Sequence, residues 1–193
     1  QYNRDIPWQD IDMDFMNLNQ SAHGDREHGY IAARMRLKRK VVAGYWKDET
    51  FQSKMETWIR AAIGAAESKR VHVLRISDNM RNVAVTDGDK VEAQIKLGWQ
   101  VDHYGVGDII KYVDAVTDDE IDAQMAEYEK NYIMDTDNID SVRYQAREEV
   151  AIKKFLDERG FNAFHTNFED LQGLRQLPGL AAVSYTHLRA HET

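Results

Sequence analysis

The chain has 193 residues, 33 acidic against 25 basic, for a formal net charge of −8. That balance argues against general binding to a nucleic-acid backbone, which needs a basic face. Cysteine is absent, excluding disulfides, thiolate metal sites and cysteine nucleophiles. No apolar run approaches the ~18 residues of a membrane span, and no charged-then-apolar leader is present. An apolar content of 42% suffices for a core, so the composition implies a soluble, cytoplasmic protein of one or two domains. Gln1 stands where an initiating Met would, as expected of a piece of a longer chain.

Residues 1–20 are mixed, with Ile11, Met13, Phe15, Met16 and Leu18 spaced for a short helix or an irregular packed segment. Asp25 to Arg36 reads as helix. The run from Val41 to Trp46 is apolar and β-prone, as in a strand buried on both faces. Asp48 is placed to cap the clearest amphipathic helix, in which Phe51, Met55, Trp58, Ile59, Ala62 and Ile63 recur at helical spacing. A second strand is expected at Val71–Ile76 and a polar loop at Asp78–Asp87. A short helix follows at Asp89–Leu97 and a third strand at Val101–Tyr104. Beyond Gly105 and Gly107, helices are marked by Ile109, Ile110 and Val113, then by Ile121, Met125 and Tyr128. Ser141 opens a long helix that Gly160 stops, and Phe161–Phe168 is the fourth strand. Strands alternating with helices imply an α/β fold, with Rossmann-like parallel sheets flanked by helices. A boundary near residue 70 separates two consecutive domains.

Several motifs fall short of their chemistry. Gly105 and Gly107 stand where a dinucleotide fingerprint would, but Ile110 occupies the third glycine position. Asp135 and Asp137 open like a calcium loop, yet Asp140 and Ala146 replace its glycine and bidentate glutamate. Neither a zincin nor a nucleophile-elbow motif occurs. Gln20 and His23, three apart, would share a face on a helical turn, and amide and imidazole groups suit the hydroxyls of a polyol. The same stretch also reads as a plain helix-start turn. The segment from Phe164 to Asp170 ends the fourth strand, and Ser77 to Arg81 follows the second. Carboxyl ends of parallel strands are where α/β proteins bind ligands, so the polar groups beside Phe168 are candidate pocket wall, and Ser77 to Arg81 is within reach of the same crevice. Equally, Phe168 could be core, with Glu169 and Asp170 capping the next helix.

Three blocks go further. Ile11–Glu27 reads IDMDFMNLNQSAHGDRE, Asp78–Lys96 reads DNMRNVAVTDGDKVEAQIK, and Asn167–Leu180 reads NFEDLQGLRQLPGL. All three, in this order, resemble L-arabinose isomerases, and the resemblance covers residues 1–182. It implies interconversion of L-arabinose and L-ribulose with a divalent metal, usually Mn2+, by a homo-oligomer. It also implies truncated domains: residues 1–70 as the latter part of an N-terminal α/β domain, and 71–182 as most of a central one. Carried over by position, Gln20 and His23 are substrate-binding residues serving a neighbouring subunit, while Met80 and Phe168 line the site of their own. The family's catalytic glutamates and metal-binding histidines would lie beyond Leu180, so the segment is expected to hold no catalytic or metal residue and to be inactive alone.

Residues 183–193 depart from the family and resemble translated adapter sequence, so a loosely attached, non-native tail is expected there. His187, His191 and Glu192 are accordingly not read as a metal site. The alternative function is a non-catalytic α/β sugar-binding or regulatory module, with a nicotinamide-dependent oxidoreductase more distant.

Overall fold

The computed structural model describes residues 2–190, and side chains as far as Thr186. The chain divides into two compact units between Glu67 and Ser68.

The first unit is helical. Asp12 caps α1 (Met13–Asn19), its carboxylate accepting from the Phe15 N–H at 2.7 Å. Helix α2 (Gly24–Arg34) follows after a short turn, and α3 runs Glu49–Ser68. Asp48 caps α3 as expected, accepting from the N–H groups of Thr50 at 2.9 Å and Phe51 at 3.2 Å. The strand expected at Val41–Trp46 does not form; the segment is irregular. A β-prone run needs a partner to pair its backbone groups, and among the described residues of this unit there is no other strand. Helix α3 is amphipathic in sequence yet buries no residue: Trp58, Ile59 and Ile63 are all exposed.

The second unit is α/β. Strand β1 (His72–Ile76) pairs in parallel with β2 (Gln100–Tyr104) on one side and β3 (Ala163–Thr166) on the other, giving the order β2-β1-β3. Helix α4 (Lys90–Leu97), capped by Asp89, connects β1 to β2 and packs on β2. Between β2 and β3 come α5 (Val106–Ala115), α6 (Asp118–Asn131) and α7 (Ile139–Arg159). Thr117 and Glu120 start α6 with a reciprocal capping box. Gly160, at φ 70, ends α7 in a left-handed turn that lets the chain double back into β3.

The side-chain alternation of β1 sorts the two faces. Leu74 and Ile76 point into a core with Ile109, Val113, Ile152 and Phe155. Val73 and Arg75 turn to the other face, where Val101 and His165 complete a cleft of about 240 Å³ beside Ala93 of α4.

Helix α8 (Gly179–Ala190) packs on α7, so the start of the expected loose tail, residues 183–186, is part of a packed helix. Ser184 is buried and donates to Glu149 Oε1 at 2.5 Å, and the Tyr185 ring lies 5.6 Å from that of Phe164. Ala181, Ser184 and Tyr185 recur at helical spacing, so the helix that starts at Gly179 carries them onto α7 whatever their origin. Residues 191–193 lie outside the described residues, as do the side chains of 187–190; the His187, His191 and Glu192 trio is among them.

Candidate functional site

In an open parallel sheet a ligand sits beyond the carboxyl ends of the strands, where successive connections leave in opposite directions. With the order β2-β1-β3 that place is the gap between β1 and β3. The loops leaving those strands are Ser77–Asp89 and Asn167–Pro178, and they carry Met80 and Phe168.

Side-chain bonds fasten each loop. Arg75, on β1, donates to Asn79 and to His103 Nε2 at 3.1 Å. Asn79 Nδ2 donates in turn to Asp87 Oδ1 at 2.8 Å. In the other loop, buried Asn167 caps a 3-10 turn (Phe168–Asp170), its Oδ1 accepting from the Glu169 N–H at 3.0 Å. The two loops are joined directly: the Arg81 N–H donates to Glu169 Oε2 at 3.0 Å, and the Arg81 guanidinium pairs with Asp170. Glu169 and Asp170 therefore tie the two loops together instead of capping a following helix, as the sequence also allowed. Met80 is half-buried here, while Phe168 is 63% exposed and borders a cleft of about 420 Å³ with Leu171, Leu174 and Leu177. Phe168 is thus exposed at the edge of a cleft formed by its own loop, and is not core.

His103, Arg75 and His165 sit in register across the three strands. Burial and then the Arg75 charge lower both imidazoles below the ordinary histidine value, so both are neutral near pH 7. Behind the β3 loop, Gln145 of α7 holds the chain: its Nε2 donates to Gln176 Oε1 at 2.8 Å and to the Leu177 carbonyl at 2.9 Å, and its Oε1 accepts from the Leu180 N–H at 3.0 Å. Beside it, Glu148 is fully buried. Its Oε2 accepts from Gln145 at 2.9 Å, and its Oε1 has no hydrogen-bond partner among the described residues. Burial pushes its carboxyl up to about 8. Nothing in a single sequence marks this network, because Gln145 and Gln176 are 31 residues apart. The Arg81 tie left a fainter signal: opposite charges in two loops already expected to converge.

Gln20 and His23 belong to the first unit, at the turn between α1 and α2, and both are exposed. They do not share a helical turn as expected. Gln20 is extended (φ −108°, ψ 148°) and ends α1, while His23 begins α2 and its side chain makes no cap bond. Ser21 reaches Asp25 instead, and the Gln20 Oε1 accepts from the Ala22 N–H at 2.8 Å. Both side chains are exposed at this turn. Among the described residues no group of three His, Asp or Glu side chains is placed to hold a metal ion.

Comparison with known proteins covers both units. Residues 1–70 match the L-arabinose isomerase N-terminal domain, and residues 72–187 match the L-arabinose isomerase central domain. The chain belongs to the L-arabinose isomerase family. The L-arabinose isomerase of Clostridium beijerinckii is 57% identical over 182 residues, which is 94% of this chain and 37% of that protein. Those of Bacillus subtilis and Thermotoga petrophila are 54% and 53% identical, again over 94% of this chain and over 38% and 37% of their own lengths. This family member thus spans well under half of the relatives it matches. Its central-domain match runs to residue 187, past the 182 at which the sequence resemblance ends. Gln20 and His23 fall within the N-terminal match, Met80 and Phe168 within the central one.

Proposed function

We propose that the full-length protein carrying this segment interconverts L-arabinose and L-ribulose, and that the segment supplies sugar-contacting surface without the proton-transfer groups. The observation that carries this is the placement of Met80 and Phe168, in a chain of this family, on two joined loops at the β1–β3 gap. Moving a carbonyl from C1 to C2 requires a proton to pass between adjacent carbons and stabilisation of enediolate-like charge. Apolar walls do neither; they fit the carbon face of the sugar and exclude water. In this reading Gln20 and His23 donate to and accept from sugar hydroxyls in a neighbouring subunit of a homo-oligomer, as the resemblance implies. In the same reading a divalent metal, manganese on the family's pattern, is held by residues outside this segment, as the resemblance implies. In this reading the protein acts in the cytoplasm, as expected from its composition. A non-catalytic sugar-binding module is not favoured, because the relatives that match over 94% of this chain are named L-arabinose isomerase.

The test is L-ribulose formation from L-arabinose by the full-length protein, wild type beside His23→Ala. Because the His23 side chain makes no cap bond and is exposed, the variant should lose kcat/KM while its melting temperature stays within about 2 °C, the scale of a minor surface change. A wild type that makes no ribulose overturns the reading. A variant that fails to fold without a specific catalytic defect returns His23 to the role of a helix-start residue.

A further inference from the structure

We infer that Arg81, Asp170 and Glu169 are positioning residues that hold the loop carrying Met80 to the loop carrying Phe168, an assignment that rests on the reading above. The β1–β3 ladder ends at Ile76 and Thr166. Met80 and Phe168 lie beyond it, where no sheet hydrogen bond fixes the distance between the two loops. Each is instead bracketed by anchored neighbours. Met80 stands between Asn79, held by Arg75 and Asp87, and Arg81, whose N–H donates to Glu169 Oε2 at 3.0 Å. Phe168 stands between buried Asn167 and Glu169, whose own N–H donates to Asn167 Oδ1 at 3.0 Å.

Asp170 completes the chain with its two oxygens. Oδ1 takes the Arg81 guanidinium, and Oδ2 accepts from Asn167 Nδ2 at 3.3 Å. The series Arg81–Asp170–Asn167 therefore runs from one lip of the gap, through a carboxylate, to a side chain fixed in the interior. Removing the guanidinium leaves the Met80 loop held only by its own polar contacts and one backbone bond.

The chemistry separates positioning from support of the fold. The Arg81 side chain is 63% exposed and that of Asp170 is 29% exposed. An ion pair so wet adds little to stability, yet a small displacement of a wall residue weakens sugar binding. The pair is therefore expected to move KM and to leave the fold alone.

The test is a kinetic comparison, in the full-length protein with manganese, of wild type, Arg81→Met and Arg81→Lys acting on L-arabinose. Arg81→Met keeps the length of the side chain and removes its charge. It should raise KM roughly tenfold, well inside the ~100-fold that a 1 Å misplacement can cost, with kcat within roughly twofold and an unchanged melting temperature. Arg81→Lys, which can still reach Asp170, should recover most of that loss. A KM for Arg81→Met within twofold of wild type overturns the assignment. So does a parallel fall in melting temperature and activity in both variants, which would mark plain support of the fold. If wild type itself makes no ribulose, the functional reading fails and takes the assignment with it; if wild type is active and Arg81→Met is normal, the assignment alone fails.

Discussion

Ser77 leaves β1 with φ 70, a left-handed conformation that costs a side-chain-bearing residue roughly 1–2 kcal/mol. It is held there because its N–H donates to the Tyr104 carbonyl at 2.9 Å, turning the chain out of the sheet and into the Met80 loop. Ser77→Gly removes the Cβ clash but adds freedom to the unfolded chain, worth roughly 0.5–1 kcal/mol the other way. The balance should raise stability by about 0.5–1 kcal/mol in denaturant unfolding; a lower midpoint would show that the serine side chain supports the turn. Phe168 makes the opposite case. Being 63% exposed, it should cost little stability when cut to alanine, yet in the full-length enzyme Phe168→Ala should change the preference between L-arabinose and a hexose by roughly 1–3 kcal/mol, the scale of a pocket-volume change. Equal discrimination by kcat/KM would remove Phe168 from the pocket wall. Met80, Phe168, Gln20 and His23 stand out as candidates because each lies inside a contiguous, unusual block. The Arg81–Asp170 tie spans 89 residues, and only the fold brings its two halves together.

At the scale of elements, α7 shows where periodicity reads well and where it does not. The expected apolar face is largely there, with Ala146 and Phe155 buried, but Glu148 and Glu149 are buried as well. The helix is covered on more than one side, by α5 and α6 and also by α8, so residues off the apolar stripe are covered too. Glu149 is satisfied by Tyr128 and Ser184, and those hydrogen bonds come from separate helices that no local pattern could announce. Glu148 is the costly member. Its carboxyl rises from the ordinary 4.5 to about 8 on folding, through burial against the opposing hydrogen bonds of Gln145 and the Gln176 backbone. The folded state therefore holds a proton that the unfolded chain releases, and its contribution to stability is full below about 4.5 and lost as pH rises through 8. Thermal unfolding followed from about pH 5 to about pH 9 should show a steeper loss in wild type than in Glu148→Gln, which keeps the shape and cannot ionise. Superimposable pH profiles would place the proton elsewhere. The failed strand at Val41–Trp46 has a related cause: local β preference is real there, but pairing is not local.

For the whole molecule, the two units differ in how far their sequences determine them. The second unit builds a core around Leu74, Ile76, Ile109 and Phe155 from elements visible as alternating strand and helix patterns, to which the unexpected helix α8 adds Ala181. The first unit keeps its helices but leaves Trp58, Ile59 and Ile63 exposed on α3, because a helix's apolar stripe can be read from sequence while the surface that covers it cannot. Family membership was legible at this scale for a different reason: three long blocks in fixed order specify more than any single motif. The chain spans 37% of the Clostridium beijerinckii relative, and in the proposed function sugar-contacting walls lie inside the segment and proton transfer outside it. General acid–base catalysis is effective only when acid and base are held within hydrogen-bonding reach of the reacting carbons. The most direct measurement is L-ribulose formation from L-arabinose, with manganese added, by the purified 193-residue chain beside the full-length protein. Turnover by the full-length protein and none above background by the chain is the predicted result. Metal-dependent turnover by the chain alone would contradict it and make Glu169 or Asp170 a candidate proton-transfer group.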